Sequence, residues 1–351
     1  MDGSEKKDTV QRALVYVGVL VSVVIILVFL WYAVDVVLLA FLGILLAILL
    51  RAPADWLAGK TGMRPGLALA LVGVSVLLVL ASSGVIFGKG VVAESLKLVD
   101  RIPEIVETAK ERLRQGELGA RAVDFAETSG AFSGGEMQFI GRGLGLIGST
   151  FGALANILIV VFFAVFLAAQ PRLYLDGFLF LVPKKRRPHI EKVMLEIGRV
   201  LRRWLVGQAF LSLVIGVATG LGLFLLGVPF ALPLGVLAGI MEFVPYIGPF
   251  IAAVPALLVA FAEQPQLGLW TLFLFLGIQS VESYVLSPLV QHRAVYLPPA
   301  VVLFAQVVMG VMVGALGVAV ATPLAAALLV AVSMLYVEDV LGDKSASIRS
   351  T

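Results

Sequence analysis

The feature that most constrains this chain is a long segment almost without charge. Residues 206–337 comprise 132 positions and contain only four formal charges, Glu242, Glu263, Glu282 and Arg293. An ionised side chain near the centre of a membrane helix costs roughly 2.5–3.5 kcal/mol on insertion scales, so a segment in lipid retains few charges. The segment therefore predicts a helical membrane region, and its retained acids are the first candidates for a functional site.

Composition extends this interpretation to the whole chain. Of the 351 residues, 60% are hydrophobic and 14% are charged, whereas soluble domains are about 25% charged. The absence of Cys excludes disulfides and thiolate chemistry, and the only two histidines, His189 and His292, lie far apart. We therefore expect no metal site, no cofactor and no enzymatic activity. The net charge of +3, gathered beside the apolar runs, argues against a nucleic-acid partner.

Apolar runs alternate with polar segments and predict an all-α, polytopic membrane fold with about eight membrane segments, two of them interrupted or re-entrant. The runs are 13–31, 36–50, 65–88, 146–169, 205–226, 229–262, 267–287 and 298–337. They divide the chain into a three-span region (1–88), an extracytoplasmic helical segment (89–145), a fourth span with a basic amphipathic helix (146–204), a core with interrupted helices (205–340) and a tail (341–351).

Two segments outside these runs carry much of the charge. Residues 89–145 balance basic and acidic side chains, and Pro103 there predicts the end of one helix and the start of the next. Residues 172–203 are strongly basic, and apolar spacing at 190–204 predicts an amphipathic helix in the headgroup plane. The basic residues of this second segment, of the amino terminus and of the loop 51–64 all fall on one side, so we predict that both termini are cytoplasmic.

The first interrupted run contains the tract MEFVPYIGPF. Pro245 and Pro249 each lack a backbone donor, and Gly248 relaxes the turn between them. Carbonyl groups freed by these prolines need partners in a dry environment, and they can coordinate a cation or accept a hydrogen bond from a hydroxylated ligand. Glu242 and Tyr246 lie beside the break and are therefore candidate ligand-binding residues. The alternative is a kinked helix whose glutamate reaches an interface.

The second interrupted run, 298–337, is too long for one span and has Gly317 and Pro323 in its interior. Each of the two runs is either one interrupted helix or a hairpin of two shorter helices. Interruptions by glycine and proline at matching places in two halves of a chain indicate the substrate site of a transporter. The predicted hinges in these two runs are Pro245, Gly248, Pro249, Gly317 and Pro323.

A second polar group lies in the tract QSVESYVLSP. Gln279, Glu282 and Ser283 have i, i+3, i+4 spacing and share one helix face, and Pro288 predicts a break after them. A carboxylate beside an amide and a hydroxyl fits either a translocation path or a polar contact between helices. Amides in spans often only join helices, so three are secondary candidates: Gln208, Gln306 and Asn156.

Several tracts have a combined pattern that is more specific than any single residue. They are WLVGQ (204–208), LGVLAGIMEFVPYIGPFIAAVPALLVA (234–260), Q-x-x-E-x-x-x-L-x-P (279–288), LPP (297–299) and GALGVAVATPLAA (314–326). In these tracts the chain resembles the AI-2E (autoinducer-2 exporter) family of bacterial membrane transporters. The resemblance implies a transporter of the cytoplasmic membrane that exports autoinducer-2 or a related small polar solute as a homo-oligomer, with a pentamer suspected.

Three functions remain open from the sequence. The first is gradient-driven transport of a small hydroxylated solute, and the second is exchange of Na⁺ or Li⁺ for protons at Glu242 and Glu282. The third is a scaffold that displays residues 89–145 to an outside partner. The GKT at 59–61 lacks the earlier glycine of a phosphate loop, so we expect an ion gradient rather than a nucleotide to supply the energy.

Overall fold

The described part of the chain is almost entirely helical. The computed structural model describes residues 33–86, 88–115, 120–121, 123–124, 150–291 and 297–343. No strand occurs within these ranges, so the prediction of an all-α fold is confirmed. The predicted first span at 13–31 lies outside the described residues.

Within the described ranges, most helices are joined by short connections. They are α1 (Val34–Thr61), α2 (Pro65–Ile86), α3 (Gly88–Arg114), α4 (Thr150–Ala169), α5 (Pro171–Phe180), α6 (Arg187–Leu226), α7 (Ala231–Met241), α8 (Ile247–Glu263), α9 (Pro265–Val281), α10 (Ser287–Gln291), α11 (Pro299–Val313) and α12 (Ala315–Val332). Two π-helical turns, Glu282–Leu286 and Ser333–Glu338, follow α9 and α12. Helices α5, α9 and α11 begin at proline, where the missing backbone donor would have had no helical partner.

Several of these helices suit a membrane. In the described part, four helical stretches are long and apolar enough to cross one: Val34–Thr61, Lys184–Leu226, Pro265–Leu289 and Ala315–Glu338. A fifth is added if Ile157–Ala169 and Pro171–Phe180, which meet at 89°, count as one bent span. Helices α7, α8 and α11 are apolar but shorter than the roughly 20 residues that a full crossing needs. The fold is therefore that of a multi-pass membrane protein with several partial helices.

Helix α6 is a single continuous helix of 40 residues, about 60 Å long. Its first half packs Val200 against Leu45 of α1 and Val330 of α12. Its second half packs Leu223 against α7 and α8. The segment 190–204 is therefore the beginning of a long helix and not a separate helix in the headgroup plane, because its apolar face is covered by α1 and α12. The helix that turns away from a span is instead α5, at 89° to α4.

Helices α6 and α7 approach each other through glycine. Gly216 and Gly220 of α6 face Gly239 and Gly235 of α7, and a Cβ added at Gly235 would lie 2.5 Å from the Gly220 Cα. Small residues four positions apart allow two membrane helices to pack backbone against backbone. This contact holds α7 on α6, so that the end of α7 lies beside Gln208.

Helix α3 packs its apolar face on α8. Leu98 and Val259 belong to one buried cluster, and Arg112 donates a hydrogen bond to the Glu263 carbonyl at the end of α8. Pro103 lies inside α3 and does not end it, which corrects the prediction. Helix α3 has a polar face where water can hydrate the carbonyl that Pro103 leaves without a donor. The segment predicted to be extracytoplasmic is thus attached to the helix that follows the first break.

The second interrupted run is a pair of helices. Helices α11 and α12 pack against each other and join at Gly314, whose φ of 77° and ψ of −149° are accessible essentially to glycine alone. A Cβ at Gly317 would lie 2.3 Å from the Met309 carbonyl oxygen. Pro323 lies inside α12 and not at the break. The run therefore doubles back at Gly314, and Gly317 permits the close approach of the two helices.

Candidate functional site

The first interruption is a short opening between α7 and α8. Helix α7 ends at Met241 and α8 begins at Ile247. The Ile247 N–H donates a hydrogen bond to the Pro245 carbonyl at 2.8 Å across Tyr246, whose φ is 66° and ψ is −54°. This is a γ-turn of the strained kind, rare for a residue with a side chain. Such strain persists only where surrounding contacts hold the backbone.

Two buried glutamine side chains supply those contacts. Gln208 of α6 donates its Nε2 hydrogen to the Glu242 carbonyl. Gln306 of α11 donates its Nε2 hydrogen to the Pro245 carbonyl at 2.9 Å. The carbonyl groups of this opening thus have the polar partners that a dry environment demands, and the partners come from two other helices.

Gly248 and Pro249 allow α8 to begin directly beside the end of α7. A Cβ at Gly248 would lie 1.8 Å from the Met241 carbonyl oxygen, so any larger residue requires the backbone to move. Pro249 occupies the first turn of α8, where a missing N–H leaves no helical bond unmade. The predicted hinge residues Pro245, Gly248 and Pro249 are all located at the observed break.

The Glu242 side chain is buried beside this opening. It is 2% exposed, and its Oε2 has no hydrogen-bond partner among the residues that the structure describes. Its carboxyl group lies within interaction range of the Glu282 carboxyl group, which comes from the end of α9. Two acids from different predicted tracts therefore meet in space.

Glu282 begins the π-helical turn after α9. The Ser287 N–H donates to the Glu282 carbonyl, and Pro288 follows without a donor of its own. Gln279 donates its Nε2 hydrogen to Glu282 Oε2, in agreement with the predicted shared face. Ser287, and not the exposed Ser283, supplies the hydroxyl beside this carboxylate, because the wider turn changes which residues share a face. Single π-helical turns of this kind are frequent at functional sites.

Gln306 connects the second interrupted run to the first opening. It is fully buried, and its Nε2 lies 3.4 Å from Thr322 Oγ1 of α12 in addition to its bond with Pro245. Within the described ranges its Oε1 has no hydrogen-bond partner. Sequence reasoning placed Gln306 among the secondary candidates and missed Thr322. The available signal was an isolated polar side chain in an apolar helix, which must find a polar partner inside the protein.

The remaining predicted residues lie at the edge of this arrangement or beyond it. Tyr246 is 44% exposed and marks the outer side of the opening. Phe243 packs edge-on against Trp204, with ring centroids 5.7 Å apart, and forms an apolar wall that sequence reasoning did not identify. The side chain of Asn156 lies outside the described part of the chain.

These groups form a compact set, which we name the polar cluster: Gln208, Glu242, Gln279, Glu282, Ser287, Gln306 and Thr322. The polar cluster combines two acids with amides and hydroxyls in otherwise apolar surroundings. Its oxygens and N–H groups can bind a proton, a monovalent cation or the hydroxyl groups of a small solute. Ionisable residues retained among membrane helices commonly mark such a path.

Comparison with known proteins identifies a family of similar chains. The sequence pattern of AI-2E family transporters matches residues 20–336. The chain is 26% identical over 329 residues to YhhT of Escherichia coli K12, a candidate transport protein, and this match covers 87% of the chain and 86% of YhhT.

Two candidate transport proteins of Bacillus subtilis strain 168 match shorter segments. YrrI is 32% identical over 149 residues, which is 42% of each protein. YueF is 28% identical over 183 residues, which is 50% of this chain and 49% of YueF. The chain therefore matches about half or less of the length of these two relatives. Because the family pattern covers most of the chain, the protein belongs to the AI-2E transporter family.

Proposed function

We propose that this protein is a gradient-driven exporter of autoinducer-2 or a related small polar solute. The solute site in this proposal consists of Gln208, Glu242, Tyr246, Gln279 and Glu282. The observation that carries the proposal is the meeting of the two carboxyl groups where the helices are irregular. Glu242 Oε2 receives no hydrogen bond from an amide, hydroxyl or backbone N–H group of the described residues, and the neighbour of this carboxyl group is a second acid, Glu282.

The unpaired acceptors favour a hydroxylated solute. Glu242 Oε2 and Gln306 Oε1 both accept hydrogen bonds, and both are buried without a donor among the described residues. A small molecule with several hydroxyl groups supplies donors to such oxygens, and it accepts hydrogen bonds in return from amide groups. A buried site that pairs hydroxyl groups also rejects analogues that lack them, because its own polar groups would then be left unpaired.

The helix breaks provide a means of movement. Gln306 bonds to the Pro245 carbonyl at the first opening and is carried on α11, beside α12. A shift of the α11–α12 pair relative to α6 would therefore pull on the opening that contains Glu242. Transporters with interrupted helices use such relative movements of two bundles to open a central site alternately to each side.

Exchange of Na⁺ or Li⁺ for protons is the second candidate function. Two carboxylates within interaction range repel each other unless a proton or a cation lies between them. The Glu242–Glu282 pair therefore fits a site that a proton and a monovalent cation occupy in turn. A scaffold function, the third alternative, does not require this pair at all.

We also propose a location and an assembly. Basic residues at one end of α1 and in the first half of α6 favour the cytoplasmic side for that end, and both termini then lie in the cytoplasm of a bacterial cell with the protein in its inner membrane. Exposed apolar faces such as those of Phe224, Phe250 and Val311 leave area for both lipid and further copies of the chain. A homo-oligomer, with a pentamer as the first state to test, is consistent with that area.

Transport by purified protein in liposomes tests the proposal. Flux of labelled autoinducer-2 is measured under an imposed proton gradient, and proton movement is measured after addition of Na⁺ or Li⁺. We expect Glu242→Gln to lower the flux by about tenfold or more, equivalent to at least 1.4 kcal/mol, and Glu282→Gln to act in the same direction. The matched control is Glu263→Gln, because Glu263 lies in the same poorly charged segment but is exposed at the end of α8.

The outcomes separate the candidate functions. Solute flux that depends on Glu242 and Glu282 without a cation response supports the exporter. A proton response to Na⁺ or Li⁺ that both substitutions abolish supports exchange and overturns the exporter. Equal transport by the wild type and both variants would remove the carboxyl pair from the mechanism.

A further inference from the structure

A groove between the carboxyl-terminal part of α1 and the middle of α6 has a composition unlike that of the other described cavities. It has a volume of about 870 Å³, and Trp56, Arg199, Arg202, Arg203, Val206 and Phe210 are among its lining residues. The groove is separate from the polar cluster and contains none of its residues. We propose that this groove binds the headgroup of an anionic phospholipid.

The arginines give the groove an excess of positive charge. Arg199, Arg202 and Arg203 lie on successive turns of α6 at i, i+3 and i+4, so they point to one side of the helix. Asp55 of α1 pairs with Arg202 at 3.1 Å and with Arg51 at 3.5 Å, and its single negative charge is thus shared by two arginines.

Contacts of the same arginines hold the groove in a defined shape. Arg202 Nη2 also donates to the Ala52 carbonyl at 2.9 Å. This carbonyl lies one helical turn before Trp56. Arg202 thereby attaches the end of α1 to α6 and fixes the width of the groove. Arg199 pairs with Glu196 on its own helix. The guanidinium groups are therefore presented from a rigid helix and not from a loop.

The part of the groove beyond the arginines is apolar and exposed. Val206 is 47% exposed, Phe210 52% and Leu289 72%, and all three line the groove next to the arginines. A free phosphate has no apolar surface to bury against these side chains, whereas the acyl chains of a phospholipid pack along them. The succession from arginine to apolar side chains along α6 matches the succession from headgroup to acyl chain in a lipid.

Trp56 indicates the depth of the groove in the membrane. Its side chain is 62% exposed, and the Lys60 ammonium lies 5.0 Å from its ring centroid. Indole rings with a charged neighbour favour the membrane–water interface, which is where phospholipid phosphates lie. Arginine is suited to bind them because its planar group can make two parallel hydrogen bonds to one phosphate.

Lipid binding to the full-length purified protein tests this proposal. Native mass spectrometry counts retained lipid, and the thermal unfolding midpoint is measured as phosphatidylglycerol or phosphatidylcholine is added to the detergent solution. We expect phosphatidylglycerol to bind about tenfold more tightly than phosphatidylcholine. The double substitution Arg199→Gln with Arg203→Gln should reduce that preference to about twofold.

Two controls make the result specific. The double substitution Lys184→Gln with Lys185→Gln removes two charges from the same basic segment at exposed positions outside the groove, and it should leave the preference unchanged. The double substitution Arg199→Lys with Arg203→Lys keeps the charge but loses the paired geometry, and it should lower the preference only in part. This second variant also serves if the variant with Arg199→Gln and Arg203→Gln fails to fold, as judged by its unfolding in phosphatidylcholine.

Three results would overturn the proposal. The first is a preference for phosphatidylglycerol that survives both double substitutions of the arginines. The second is an equal loss in the variant with Lys184→Gln and Lys185→Gln, which would indicate attraction by net charge alone. The third is stabilisation by glycerol phosphate, which has no acyl chains, to the same extent as by phosphatidylglycerol, which would indicate a site for a soluble phosphate compound.

Discussion

The two helix interruptions of this protein share a packing device. At the first, Gly248 approaches the Met241 carbonyl, and at the second, Gly317 approaches the Met309 carbonyl. In each case the glycine lies in the first turn of the second helix, and an added Cβ would overlap the carbonyl oxygen of the preceding helix. Both interruptions therefore use glycine to let one helix begin against the backbone of another.

The interruptions differ in what they expose. The second consists of the single residue Gly314, whereas the first leaves residues 242–246 outside regular helix. The first contains Glu242 and is held by amide groups from α6 and α11. Close packing of two helices thus does not require a long opening, since the second interruption achieves it with one residue. The additional length of the first opening has the effect of presenting a carboxyl group and backbone carbonyls to the polar cluster.

The largest expected effect concerns the two glycines that pack against carbonyl oxygens. We expect Gly248→Ala to destabilise the folded protein by about 3 kcal/mol, because the new methyl group meets backbone that cannot rotate away. Gly317→Ala should lose a comparable but smaller amount, since its overlap with the Met309 oxygen is less severe. The measurement is the unfolding midpoint in detergent for each purified variant.

Gly277→Ala is the matched control for these substitutions. Gly277 lies inside α9, and a Cβ there would meet nothing within 4 Å, so alanine should be neutral or slightly stabilising through its higher helix propensity. Wild-type stability of Gly248→Ala would show that α7 and α8 move apart readily. The tight start of α8 would then not define the first interruption.

The second prediction addresses the link between the two interruptions. Gln306→Leu leaves the Pro245 carbonyl without its side-chain donor, and we expect a loss of about 2 kcal/mol in stability, together with lower transport. Thr322→Val removes only the weaker partner of Gln306 and should cost less, because the bond to Pro245 remains. Equal losses in the two variants would mean that Gln306 acts through α12 and not through the opening.

The helix break and the candidate acids could be predicted from the sequence, but the contacts between these residues could not. Pro245, Gly248 and Pro249 could be assigned to a break because proline and glycine act locally on the backbone. Glu242 and Glu282 could be singled out because a charge in an apolar segment is costly. Their proximity could not be deduced, since it depends on how α7 and α9 pack around α6.

Local rules also failed where tertiary packing decided the outcome. Pro103 predicted a helix end but lies within α3, because a solvated helix can tolerate one unpaired carbonyl. The basic segment 190–204 predicted a separate surface helix, but α1 and α12 bury its apolar face and it continues into α6. The second break occurs at Gly314, and the predicted hinge Pro323 lies inside a helix. Periodicity identifies an apolar face but not the element that covers it.

The smallest expected effect concerns backbone strain, because the two interruptions have different residue types at positive φ. The second places glycine at its positive φ, whereas the first places Tyr246 at a φ of 66°. Tyr246→Ala removes the ring but retains a Cβ in that conformation, and Tyr246→Gly removes both. We expect the glycine variant to be about 1 kcal/mol more stable than the alanine variant, because glycine adopts positive φ without steric penalty.

Comparing these two variants with each other separates strain from the contacts of the ring. Both lose the same ring contacts, so a difference between their unfolding midpoints reports the backbone alone. Both should also transport equally poorly if the Tyr246 side chain contacts the solute. If the two variants unfold together, the backbone relaxes once the ring is absent, and the turn is held by the ring and not by the amides of Gln208 and Gln306.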